Sequence, residues 1–191
     1  MSVSPDQYFD LPEPQRRAIA QDCATRLAPL VRGQLEWGDG DLAVRGTFNG
    51  RPARLRVQLS FGTLFVELDF APGSGPPLPL GMFELHCDPH PGEHRTQDRE
   101  YFAPNVYSDG LAREMVHNLL HRLPQQAQTA LVQTLAQFDR GFFSVDDSAL
   151  TLFCPAHVTL SPQSVQSVGY YLNLLFMLSN DIALAWREVR M

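Results

Sequence analysis

The sequence predicts an α+β protein in which an antiparallel β meander and short hairpins pack against about four helices, the last of them long. Three stretches predict it. Apolar residues recur at helical spacing from about residue 14 to 31, strictly alternating runs separated by glycine turns fill 34–70, and "VGYYLNLLFMLSNDIALAW" (168–186) is apolar over a length that only a helix accommodates. No 20–50-residue period repeats along the chain, so a solenoid or propeller is not expected.

In the first stretch Ile19, Cys23, Leu27, Leu30 and Val31 form one stripe, with Pro14 near its start and Gly33 just past its end. Pro29 has no amide hydrogen to donate, so the helix must kink there or stop about a residue earlier. Cys23, on the stripe, reads as a small core residue. Residues 34–70 read as four antiparallel strands turned at "GDGD" (38–41), "NG" (49–50) and "FG" (61–62). The NG pair predicts a type I′ turn, because both of its central residues must take positive φ. Alternation sends Val44, Phe48, Leu55, Val57, Leu59, Leu64, Val66 and Leu68 to one face and Arg45, Arg54, Arg56, Glu67 and Asp69 to the other.

One domain is expected over 1–191, with two halves, 1–71 and 82–191, joined by the Pro/Gly-rich connector 72–81. The connector's "GSG" is no phosphate cradle, since prolines follow it where a helix would have to start. A strand over "MFELHC" (82–87) comes next. Another is expected over "REYFAPNVY" (99–107), with Pro104 forcing an edge or a bulge. "SDG" (108–110) is expected to cap a helix at 111–122, and Pro124 to open a second at 125–139. "FFSVDDSALTLF" reads as a hairpin turning at Asp146 and Asp147, and the last helix starts after Ser161 and Pro162.

Composition removes several functions. All 15 basic residues are arginine, so lysine-anchored Schiff bases, Walker-type NTP hydrolysis and the usual protein-kinase set are excluded. The net charge is -6 and the arginines are scattered, which argues against a nucleic-acid partner. The first residues, "MSVSPDQYFDLPEP", are acidic and carry no apolar run, so a cytoplasmic location without a signal peptide is expected. Three cysteines, an odd number, fit reduced thiols rather than a disulfide framework. Asn173, Asn180 and Asp181 interrupt the apolar C-terminal stretch, so it is read as a buried or interface helix and not as a membrane insertion.

Two Cys-x2-His pairs stand out: Cys87 with His90 in "HCDPHPGEH" (86–94), and Cys154 with His157 in "FCPAH" (153–157). Four such ligands make a zinc site if the two strand ends are neighbours, with His86 or His94 as further candidates. The competing reading is core thiols, because Cys87 continues the row Phe83, Leu85 and Cys154 the row Leu150, Leu152. Glu114, His117 and His121 share a helix face in the manner of a carboxylate-bridged iron ligand set. No second Glu-x-x-His exists in the chain to complete one, and the face reads as solvated. There is no G-x-S-x-G elbow, and Asp39, Asp41, Asp146 and Asp147 are accounted for by turns, so nothing supports an enzyme. Arg45, Arg54 and Arg56 are the candidates for contacting an anion, although Glu67 and Asp69 lie across the ladder to pair with them.

The run from "GTFNGRPARLRVQL" through "DREYFAPNVYSDG" to the closing hairpin and helix resembles uncharacterised soluble proteins of high-GC bacteria that carry a G-x-[FY]-x-G-R-P strand-turn signature. The resemblance implies a fold pattern and no activity. The order of elements is also similar to that of small secretion-chaperone-like proteins, which bind partners without catalysis.

The expected function is therefore a cytosolic, non-enzymatic binding or adaptor protein, chaperone-like or regulatory, working through protein–protein contacts and forming a homodimer. Its expected interface is Tyr170, Tyr171, Leu174, Phe176, Met177 and Trp186, because "YYLNLLFML" (170–178) is more apolar than a surface helix needs to be. The alternatives are a metal-binding protein or metal-dependent hydrolase built on the Cys/His cluster, and a small-anion-binding module.

Overall fold

The computed structural model describes residues 5–38, 40–69, 83–87, 99–103, 106–109, 118–137, 142–145, 149–154 and 162–189. They form an α+β protein with nine strands and a long C-terminal helix. The chain divides into two compact units, Met1–Asp69 with Phe153–Asn173, and Phe70–Leu152 with Leu174–Met191.

The first unit opens with α1 (Pro5–Phe9) and α2 (Glu13–Leu27), followed by a single 3₁₀ segment, Ala28–Val31. Pro29 ends α2 as its missing donor requires, and the backbone tightens instead of kinking. Ala20, Cys23, Ala24, Leu27 and Val31 are buried; Ile19 and Leu30 lie at the rim. Arg32 takes the left-handed conformation at φ 49° that ends the segment, although Gly33 is the residue the pattern points to. Gly33 has a different reason for being glycine: a Cβ there would lie 2.6 Å from the Arg45 carbonyl oxygen.

The meander is β1 (Gln34–Trp37), β2 (Asp41–Phe48), β3 (Arg51–Gln58) and β4 (Thr63–Asp69), hydrogen-bonded in that order, with each neighbouring pair antiparallel. Asn49 and Gly50 have φ of 49° and 80°, the two positive values of a type I′ turn. Val44, Leu55, Val57, Leu59, Leu64, Val66 and Leu68 are buried, as the alternation predicts, and Phe48 is half-buried near its strand end. Tyr8 joins α1 to the sheet, its hydroxyl donating to the Leu59 carbonyl at 3.0 Å.

In the second unit the strand order is β9-β8-β5-β7-β6. These strands are β5 (Phe83–Cys87), β6 (Arg99–Ala103), β7 (Val106–Asp109), β8 (Phe142–Val145) and β9 (Ala149–Cys154), the last two residues of β9 belonging to the first unit. "REYFAPNVY" is not one strand. It is two antiparallel strands, β6 and β7, with a register shift between Tyr101 and Ala103, and Pro104 itself lies outside the described residues. A shift of this kind and the place of β6 at the end of the strand order are what a nearby residue without a donor predicts. Ser108 and Asp109 are the last residues of β7, and Gly110, where the expected cap ends, lies outside the described residues. Residues 118–121 are helical and Arg122 is in a turn, while 111–117, with Glu114 and His117, lie outside the described residues.

Pro124 caps α3 (Gln125–Leu135), and Gln128 Nε2 donates back to the Leu123 carbonyl at 2.7 Å. The helix ends four residues short of the expected 139. The long helix α4 spans Pro162–Val189. The connector 72–81 and the Asp146–Asp147 turn lie outside the described residues.

Candidate functional site

α4 contributes its first residues to one unit and its last to the other. Helical geometry sorts its apolar residues in a way that composition could not. Val168, Tyr171, Leu172, Leu174, Leu175, Leu178, Ile182 and Ala185 are buried, and Phe176 is half-buried. Two of the expected interface residues, Tyr171 and Leu174, are thus core. Tyr170 and Met177 point outward, 47% and 42% exposed, and are joined by Leu184 at 58%, which the sequence reading did not single out. The side chain of Trp186 lies outside the described residues.

The exposed residues of this face are Gln166, Tyr170, Asn173, Met177, Asn180 and Leu184. Their spacing alternates four and three, the seven-residue repeat by which one helix presents a seam to another. Apolar residues stand at 170, 177 and 184 with carboxamides between, and none of the six is charged. Asn173 Nδ2 donates to the Gly169 carbonyl at 2.9 Å, which holds that side chain along the helix. Asp181 borders the stripe, and partial burial pushes its carboxyl pKa up. Among the described residues one helical stretch, Val165–Ala185, is long and apolar enough to cross a membrane, and about half of it is buried in the protein.

The meander's other face holds the three candidate anion contacts. Arg45 Nε lies 2.7 Å from Glu36, Arg54 3.8 Å from Glu67, and Arg56 3.0 Å from Asp41 and 3.2 Å from Glu67. The Arg56 guanidinium also sits 4.0 Å above the Phe65 ring, whose centroid lies 4.8 Å from that of the tilted Phe153 ring. Each arginine therefore already faces a carboxylate. Among the described residues Arg54 Nε is buried without a hydrogen-bond partner. On the sheet's outer strand all four residues of β1 are exposed, and Arg17 lies 5.4 Å over Trp37.

Of the Cys/His candidates, His90, His94 and His157 lie outside the described residues, as do the side chains of Cys87 and Cys154. β8 stands between β5 and β9 in the strand order, so the two cysteine-bearing strands are not neighbours. Their axes are about 10 Å apart at the usual strand spacing. Among the described residues no group of three or more His, Cys, Asp or Glu could hold a metal ion. His86 belongs to a different arrangement. Phe142, His86, Tyr107 and Tyr101 lie side by side across β8, β5, β7 and β6, with ring centroids 6.1, 5.5 and 5.7 Å apart. Aromatic rows of this kind stabilise cross-strand pairing. His121, exposed, rests 5.2 Å from the Phe102 ring.

The described residues thus define an α+β protein whose most distinctive surface is a helix face rather than a cleft. Neither a protein-family model nor a curated protein sequence matches the chain. Among solved structures it is similar to the crystal structure of the mycobacterial trehalose monomycolate transport factor A, TtfA. The TM-score is 0.49 with 14% identical residues, covering 87% of this chain and 96% of that one. A likeness at this level carries no inference about ligand or partner.

Proposed function

We propose that the chain is a non-enzymatic binding protein, an adaptor whose contacts with another polypeptide are made by the outward face of α4. One observation carries this reading: Tyr170, Met177 and Leu184 stand exposed at seven-residue intervals on a helix whose other apolar residues, among those described, are buried or half-buried. Exposing three large apolar side chains in register costs solubility and gains nothing for the fold. A helix face with this repeat is how groove-and-helix and helix-pair contacts are built.

The test is site-specific photo-crosslinking in the protein's native cell. A crosslinker at position 177 is compared with one at Gln133, an exposed site on α3. Adducts to a polypeptide, identified by mass, are expected at 177 well above those at 133. Equal yields at the two positions would sink the reading.

A further inference from the structure

Resting on that reading, we infer that the α4 face is the self-pairing surface of this protein: a second copy docks on it antiparallel, about a two-fold axis through Met177. The large apolar residues of the stripe are symmetric about Met177, with Tyr170 seven residues before and Leu184 seven after. An isologous contact pairs residue i with j and j with i, and even spacing about Met177 lets all three apolar positions pair at once. The axis sets Met177 against the partner copy's Met177, and Tyr170 against the partner copy's Leu184. A bulky aromatic then meets a smaller aliphatic on each side of a flexible thioether, which fits an irregular gap.

Charge selects the occupant and its direction. None of Gln166, Tyr170, Asn173, Met177, Asn180 and Leu184 is charged, although the whole chain carries a net charge of -6. Two copies meeting elsewhere on an acidic surface repel each other; here they meet along an uncharged strip. A parallel pair would bring Asp181 beside the partner copy's Asp181. The antiparallel pair puts it opposite Asn173, whose carboxamide has a second N–H beyond the one donated to Gly169. Opposed helix dipoles favour the same direction. Three apolar side chains from each copy make a small contact, so the dimer is expected to be concentration-dependent, at the weak end of specific interfaces.

The experiment is cysteine crosslinking of the purified protein under mild oxidant, with wild type as the baseline for the native cysteines. Met177→Cys is expected to form a disulfide-linked dimer. Tyr170→Cys mixed with Leu184→Cys is expected to crosslink several-fold more than either variant alone. In parallel, molar mass should rise with concentration for wild type and stay monomeric for Met177→Glu, an exposed substitution whose fold is checked by circular dichroism. The inference is overturned if Met177→Cys crosslinks no more than wild type. It is equally overturned if Tyr170→Cys pairs with itself as readily as with Leu184→Cys, which would mean a parallel pair, or if wild type is monomeric at its highest soluble concentration. Photo-adducts at 177 to a different polypeptide, with no self-crosslink, would leave the binding reading standing and remove this one.

Discussion

Gly33 and Gly46 meet backbone to backbone where the chain leaves the 3₁₀ segment and crosses β2. A Cβ on Gly46 would fall on the Val31 carbonyl oxygen and lie 2.7 Å from the Gly33 Cα. Backbone atoms cannot change rotamer to make room. Gly46→Ala is therefore expected to destabilise the protein by about 3 kcal/mol, the upper end for overpacking, lowering Tm by about 6–12 °C. Gly38→Ala is the control, because its Cβ would meet nothing nearer than the Asp41 oxygen at 3.9 Å. It should move stability by no more than about 0.5 kcal/mol. Equal melting temperatures for the two variants would show that the close approach does not exist.

Cys23 is on the buried side of α2, and loss of solvation pushes its thiol pKa up from 9.0 to about 12, with Asp22 adding to the effect. The folded state therefore keeps the proton that the unfolded chain releases near pH 9. Cys23 contributes nothing to the pH dependence of stability below that pH, and its burial becomes destabilising as the pH rises from about 9 toward about 12. A thiol reagent at pH 8 should label Cys23 in urea and leave it unlabelled in the native protein, read at its own peptide by mass spectrometry. Rapid native labelling at that peptide would contradict the burial.

Arg56 is held by Asp41 at 3.0 Å and Glu67 at 3.2 Å, with its side chain only 25% exposed. Such a shared, partly desolvated guanidinium is worth more than an exposed ion pair. Arg56→Gln is expected to cost about 1–2 kcal/mol, and a double-mutant cycle with Glu67→Gln to give a coupling of about 1 kcal/mol. The coupling should largely survive 1 M salt, as screening acts mainly on exposed charges. A coupling near zero in urea denaturation would reduce the network to a surface pair.

Local chemistry was legible from sequence wherever one residue decides the outcome. Asn49-Gly50 announced its turn, Pro29 announced the end of α2, and alternation sorted the meander's faces down to Leu68. Elsewhere more than one element decides. An interruption near Pro104 was visible, but which strands lie alongside was not, and β7 pairs with both β5 and β6. The same holds for α4. "YYLNLLFML" is apolar all round, and only packing against the rest of the protein puts Tyr171 and Leu174 inside and leaves Tyr170 and Met177 outside. Leu184 escaped notice because it stands beyond the densest apolar run, seven residues past Met177, where only the helical repeat connects it to the others.

The division of the chain has a consequence during synthesis. One compact unit takes Met1–Asp69 and then waits for Phe153–Asn173, while the other takes Phe70–Leu152 and waits for Leu174–Met191. Ribosomes add about 5–20 residues per second, so the finished meander stands for several seconds without its final contacts. Each unit then receives its last piece from the same helix, α4, within moments of the other. The nascent chain thus has a long interval of partial order and one short interval of completion, and chaperone attachment in translating cells should peak before α4 leaves the exit tunnel.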